Sequence, residues 1–331
     1  MRAARRIDWP DLAALLVSGV LAAAAPLQVF LLAYALLGPF HYLTEIAWLR
    51  KKQFYFREGL ISSRSYLLIA VGMAVLAPLE YIVKRDLGFW IVASLLLLSL
   101  TVWVRNIYAL GALAVAVVAT KFVLRPWIFF IAILVPTLIH VYFFTWTFML
   151  SGALRDKRAT LTKWVNPVLL VLIPVALMCV RLHYAAPGGL WLRGEAASFG
   201  ALHAYLANDL HHTLTLGATL LQDPVVAAVM RVFAFIYLFH YLNWFAKTEL
   251  LQWHRISPLE WTGIGVLHAA TVAIYLWSFR AGFIVATFLS MLHVLLEFPL
   301  NWHTLRFVSL RLQGKNAEAR AEASATMQPV A

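Results

Sequence analysis

Two pairs of residues in this sequence combine a histidine with a glutamate four positions later. His41 and Glu45 lie in "GPFHYLTEIAW", and His293 and Glu297 lie in "MLHVLLEFPL". Residues four apart share one face of a helix, so each imidazole and its carboxylate can point at a common centre. Alternatively, each carboxylate can accept a hydrogen bond from an imidazole of a neighbouring helix and orient it. Both arrangements are typical of metal sites.

Two further histidines lie in equally apolar surroundings. His140 is in "LIHVYFF" and His240 is in "LFHYLNW". Ionisable side chains are costly inside a membrane helix and therefore often mark a functional site. The alternative is that each histidine makes a separate hydrogen bond between helices.

The composition predicts the elements that must position these histidines. Hydrophobic residues make up 63% of the 331 positions and charged residues only 13%. Several apolar runs reach the length of about 20 residues that crosses a bilayer as a helix. We therefore expect an all-α, polytopic integral membrane bundle with about nine transmembrane helices.

The apolar runs place these helices near 12–46, 66–82, 89–104, 107–123, 126–150, 165–182, 225–245, 261–279 and 283–300. The first run would be about 52 Å long as one helix, so we expect it to tilt, to kink at Pro26 or to divide. We predict one transmembrane domain over 1–312. The polar segment 313–331 is predicted to be a disordered tail.

Basic residues cluster at the ends of the apolar runs. A net charge of +12 could suggest nucleic-acid binding, but the position of the basic residues does not favour it. Basic residues at the ends of apolar runs are typical of topology signals and of contacts with anionic lipids. With nine crossings the clusters fall on one face, which should be cytoplasmic. We call them the basic belt: Arg50, Lys51, Lys52, Arg57, Arg64, Arg155, Lys157, Arg158, Lys163, Lys247, Arg255, Arg306, Arg311 and Lys315.

The basic belt gives a common depth for the histidines. Each of the four precedes a belt residue by about 7 to 15 positions, or about 10–23 Å along a helix. Four neutral imidazoles can bind iron, copper or zinc. We therefore predict one metal centre with Glu45 and Glu297 as orienting groups or occasional ligands. Its ligands would be His41, His140, His240 and His293.

The order of these motifs resembles the bacterial integral-membrane carotene dioxygenases of the Brp/Blh type. "GPFHYLTE", "LIHVYFF", "LFHYLNW" and "LHVLLEFPL" are similar to that family's successive histidine segments. Glutamate stands in both places where the family has aspartate, and Trp244 stands where it has a further histidine. The resemblance implies non-haem iron held by histidines, O₂ as co-substrate and cleavage of a polyene to retinal.

The sequence thus favours a membrane-embedded non-haem iron oxygenase that takes a lipophilic substrate from the surrounding lipids. We expect a multi-pass protein of the bacterial inner membrane. Other functions fit the same residues. One is a haem-binding electron carrier with histidine pairs as axial ligands. Others are a transporter with a midplane His/Glu site and a subunit of a larger assembly without chemistry of its own.

Overall fold

The computed structural model describes residues 9–52, 62–83, 93–94, 97–98, 101, 104, 106–123, 138–155, 161–180, 224–247 and 256–327. Within these ranges the chain is all-helical and contains no strand. The helices are α1 Trp9–Ala24, α2 Pro26–Leu32, α3 Gly38–Lys52, α4 Ser63–Val83, α5 Ile107–Val123, α6 Thr145–Arg155, α7 Val165–Cys179, α8 Pro224–Ala246, α9 Pro258–Trp277, α10 Phe279–Leu312 and α11 Asn316–Met327. Two π-helical turns, Ala33–Leu37 and Ile139–Phe144, precede α3 and α6.

Four helical stretches are long and apolar enough to cross a membrane, and they indicate a membrane protein. They are Pro26–Lys51, Ala227–Ala246, Pro258–Trp277 and Phe279–Leu312. The prediction of nine membrane helices is not confirmed, because the other apolar helices of the described part are shorter. Most of the helix predicted near 89–104 and the first half of 126–150 lie outside the described residues.

The first predicted helix, 12–46, divides at Ala25 into α1 and the continuous helical stretch Pro26–Lys51, which contains α2, a π-turn and α3. The chain breaks at Ala25, whose φ of −144° is not helical, and Pro26 begins the next helix. Proline suits this position because its missing N–H is not needed in a helix's first turn. Lys247, directly after α8, forms an ion pair with Asp11 at the start of α1. Because α2 packs beside the first half of α8, α1 runs antiparallel to α8.

Helices α3 and α8, which carry His41 and His240, run parallel to each other. Their contacts keep nearly constant register: the rings of Phe40 and Phe245 lie 5.4 Å apart, and Trp244 donates a hydrogen bond to Thr44. α6 and α10 are also parallel, because Phe144 contacts Phe298 and Arg155 lies over the ring of Phe307.

α9 runs in the opposite direction beside α3. Glu260 in its first turn binds Arg50 and Lys51 at the end of α3, whereas His268 contacts the ring of Phe40. A capping box between Ser257 and Glu260 fixes the start of α9.

α8 and α10 are the central helices of the bundle. α8 packs against α1, α2 and α7, and α10 packs against α3, α4, α6, α9 and α11. The largest apolar cluster surrounds α8, and a second one joins α3, α4 and α10 around Leu49 and Leu295. Tyr66 of α4 donates a 2.6 Å hydrogen bond to the carbonyl of Leu295, on the buried face of α10.

Within the predicted tail 313–331, residues 316–327 form α11. Gly314, with φ of 76°, reverses the chain after α10 as glycine does at helix ends. Ala319 is fully buried against α10 and the end of α6, and Glu322 binds His303 at 2.5 Å. The polar composition concealed this helix because the apolar side chains that it packs against its neighbours are alanines.

Candidate metal centre

The four histidines predicted to share a centre form a closed ring of imidazoles. His41 lies on α3, His140 on the π-turn before α6, His240 on α8 and His293 on α10. Nε2 of His41 is 3.1 Å from Nε2 of His240, and Nε2 of His140 is 3.0 Å from Nε2 of His293. The ring centroids of successive neighbours lie 4.7 Å, 5.5 Å, 5.0 Å and 5.3 Å apart. All four side chains are buried.

Three of these residues can hold a metal ion together. His41, His240 and His293 each offer a ring nitrogen, and the three nitrogens lie within 4.8 Å of one another. Two ligand atoms at about 2.1 Å from a metal and at right angles lie about 3.0 Å apart. The close Nε2 pairs therefore have the spacing of adjacent ligands of one ion. Imidazole nitrogens alone do not select iron over copper or zinc.

The π-turn Ile139–Phe144 brings two polar side chains of one helix to the centre. A π-turn closes hydrogen bonds between residues five apart, so positions five apart come to lie on one face. His140 and Thr145 are five apart, and each contacts a different imidazole of the ring. Sequence reasoning missed Thr145, because a regular helix would turn it away from His140.

Thr145 fixes the tautomer of His240. Its hydroxyl oxygen is 2.8 Å from Nδ1 of His240, and the hydroxyl donates its proton to the carbonyl of Val141 at 2.8 Å. The oxygen must therefore accept a proton from Nδ1. Nε2 of His240 then keeps its lone pair directed at the centre, as a metal ligand requires.

Glu297 lies beside the outer nitrogen of His140. Its Oε2 lies 3.2 Å from Nδ1 of His140, the nitrogen on the outer side of the ring. Asn301, one turn later on α10, donates a 3.2 Å hydrogen bond to the same oxygen. Glu297 therefore serves the histidine of a neighbouring helix and not His293 of its own helix.

Glu45 occupies a different position. Its Oε2 lies 3.1 Å from Nε2 of His41, the nitrogen that also faces His240. The carboxylate thus stands on the inner side of the imidazole ring, where a ligand would bind. The sequence left open whether each carboxylate points at the common centre or contacts an imidazole of a neighbouring helix. In the structure Glu45 has the first arrangement and Glu297 the second.

A sequence repeat contributes to this site and was missed by sequence reasoning. Residues 40–43 and 239–242 both read Phe-His-Tyr-Leu. The tyrosines that follow the two histidines meet as the histidines do, with the hydroxyls of Tyr42 and Tyr241 2.8 Å apart. The signal was present as an identical tetrapeptide, although no longer internal repeat accompanies it.

Fold and site together define a helical membrane protein with a buried group of three histidines that can hold a metal ion. Three of the four candidate spans carry this group. No family model, curated protein or solved structure matches the chain.

Proposed function

We propose that this protein is a membrane-embedded, metal-dependent oxygenase that acts on a lipophilic substrate. The observation that carries the proposal is a buried group of four imidazoles whose Nε2 atoms face each other in two close pairs, while Thr145 and Glu297 contact two of the outer nitrogens. Such outer contacts are typical of metal-binding histidines, whose rings they orient.

A divalent ion would balance the charge of this centre. With four neutral imidazoles, ionised Glu45 and Glu297 would give a net charge of −2, which one divalent cation would cancel. Buried carboxylates without such a partner are strongly unfavourable. His41, His140, His240 and His293 would bind the ion, Glu45 would complete its ligands, and Glu297 would hold His140 in place.

Iron is the ion we propose, on the resemblance to the Brp/Blh-type carotene dioxygenases. Nitrogen ligands with a carboxylate suit ferrous iron in non-haem oxygenases. When bound, iron would supply the electron chemistry that activates O₂. The protein residues would keep the ligand geometry fixed and exclude water from the reaction. The substrate would be a carotenoid cleaved to retinal, and the location the bacterial inner membrane.

A lipophilic substrate agrees with the surroundings of the centre. The ring of Tyr42 covers His293, and the ring of Tyr241 contacts His41. The carboxylate of Glu45 contacts His41 as well. Large apolar side chains on α1, α4 and α9 are exposed at the bundle surface, as contact with lipid requires. A hydrocarbon dissolved in the bilayer would meet an apolar surface on these helices.

The haem-carrier alternative fits the distances less well. Axial ligands of one haem lie about 4 Å apart, because each bond is about 2 Å long. The two Nε2 pairs, at 3.0 Å and 3.1 Å, are closer than a porphyrin between them would allow.

The first experiment is elemental analysis of purified protein grown with iron, copper and zinc. We expect about one equivalent of iron per chain, and little iron in His293→Ala. His268→Ala is the matched control, because His268 lies on a membrane helix outside the ring. Equal metal in the wild type and in His293→Ala would contradict the centre.

The second experiment measures the reaction. Bacterial cells that accumulate a carotene and express the protein should form retinal, detected by chromatography, and cells with His293→Ala should not. Bound iron without retinal would leave the metal centre standing and reject carotene as the substrate.

A further inference from the structure

Tyr42 and Tyr241, which we call the tyrosine pair, join α3 to α8 one residue after the histidines. The two residue pairs are in the same register: His41 contacts His240 and Tyr42 contacts Tyr241, and the residues of each pair are 199 positions apart. The hydroxyls share a 2.8 Å hydrogen bond and both side chains are almost fully buried. The spacing of the two imidazoles is therefore coupled to a buried contact between the same two helices.

Gly38 makes room for the tyrosine pair. A Cβ atom at this position would lie 3.1 Å from both hydroxyl oxygens and 3.3 Å from Cζ of Tyr42. The backbone of Gly38 is ordinary helix, with φ of −56° and ψ of −58°, so its conformation does not require glycine. Glycine inside a helix is unfavourable relative to alanine. The space needed by the two hydroxyls is what accounts for glycine here.

The tyrosine pair also contacts the rest of the imidazole ring. The ring of Tyr42 stacks on His293 with centroids 4.4 Å apart and an angle of 23° between the planes. The ring of Tyr241 lies 5.1 Å from that of His41. On the other side of the histidines, Trp244 donates a 3.1 Å hydrogen bond to Thr44. The His41–His240 contact thus lies between two hydrogen bonds that join α3 to α8.

We propose that the tyrosine pair, seated against Gly38, is a positioning device that sets the separation of His41 and His240 and so the geometry of the metal centre. The proposal rests on the metal centre of the proposed function. Neither tyrosine is a ligand in this role, because each acts through the helix that carries the adjacent histidine.

The test uses Co²⁺ as the probe, because its visible spectrum reports ligand geometry and its binding needs no enzymatic turnover. Dissociation constants and spectra are measured for wild type, Tyr42→Phe, Tyr241→Phe and the double variant. We expect each single variant to weaken Co²⁺ binding by about 10-fold or more and to change the spectrum. The double variant should be no weaker than either single variant, because both remove the same hydrogen bond.

Tyr237→Phe is the matched control, one turn earlier on α8 and outside the hydroxyl pair. We expect its Co²⁺ affinity and spectrum to equal those of wild type. Additive losses in the double variant, or losses as large in Tyr237→Phe, would overturn the positioning role.

Gly38→Ala provides an independent arm. Alanine should weaken Co²⁺ binding in the wild-type background by crowding the two hydroxyls, while thermal stability is maintained because alanine favours the helix. In the background of the Tyr42→Phe and Tyr241→Phe double variant the same change should have a smaller effect, because both hydroxyls are gone. Equal losses in both backgrounds would reject the proposal. A wild type that binds no Co²⁺ rejects the proposed metal centre as well, whereas bound Co²⁺ with unchanged variants rejects only the positioning role.

Discussion

The hydroxyl of Thr145 accepts a hydrogen bond from Nδ1 of His240 at 2.8 Å, across the contact between α6 and α8. Since the threonine proton is donated to Val141, this contact has only one possible polarity. Thr145 therefore determines which nitrogen of His240 carries the lone pair that a metal needs. Thr145 is one of three hydroxyl-bearing residues in α6 and carries no metal-binding signature of its own.

Thr145→Val should lower metal affinity by about 10–100-fold, because His240 loses the contact that fixes its tautomer. The fold should lose only about 1 kcal/mol of unfolding free energy with the hydrogen bond. Competition with a chelator measures the affinity. Thr145→Ser keeps the hydroxyl and should retain most of the binding. Unchanged affinity in Thr145→Val would show that His240 does not depend on this contact.

Glu45 and Glu297 should respond differently to the same change. Glu297→Gln keeps an acceptor oxygen for His140, so metal affinity should fall by only about 10–100-fold. Glu45→Gln removes a charged oxygen from the inner side of the ring and should cost more. Both variants are compared by metal titration under one set of conditions. A milder loss in Glu45→Gln than in Glu297→Gln would reverse the two assignments.

Much of the helical layout could be predicted from the sequence. Five apolar runs correspond to helices of the structure, because a membrane helix needs a continuous apolar stretch. They are the runs near 66–82, 107–123, 165–182, 225–245 and 261–279, which correspond to α4, α5, α7, α8 and α9. The run near 283–300 corresponds to α10, which continues to Leu312. The extension escaped prediction because its residues are supported by α11 and not by an apolar run.

The common depth of the four histidines could be predicted from the sequence, but the contacts of their side chains could not. Counting residues from the basic belt brought four distant histidines to one level, and the structure places them side by side. The partners of their outer nitrogens depend on a π-turn and on helix rotation, neither of which has a sequence period. For this reason Thr145 was missed and Glu45 could not be distinguished from Glu297.

The ion pair between Lys247 and Asp11 predicts the side of the membrane on which α1 begins. Single cysteines at Trp9 and Arg50, introduced with Cys179→Ser, should both react with an impermeant maleimide from the cytoplasmic face. A cysteine at Trp277, where α9 ends far from the belt, should react from the other face. Labelling of positions 9 and 50 from opposite faces would contradict the antiparallel arrangement of α1 and α8.

α11 should be released from the bundle by a single enlarged side chain. Ala319 is fully buried against α10 and α6, so Ala319→Leu overfills the contact and should weaken docking by about 1–3 kcal/mol. Limited proteolysis measures the effect as faster cleavage within residues 313–327. Ala321→Leu is the matched control, because Ala321 is exposed on the same helix. Metal content should stay at the wild-type level in both variants, since α11 contributes no residue to the imidazole ring. Equal cleavage rates for the two variants would mean that the buried alanine face does not hold α11 in place.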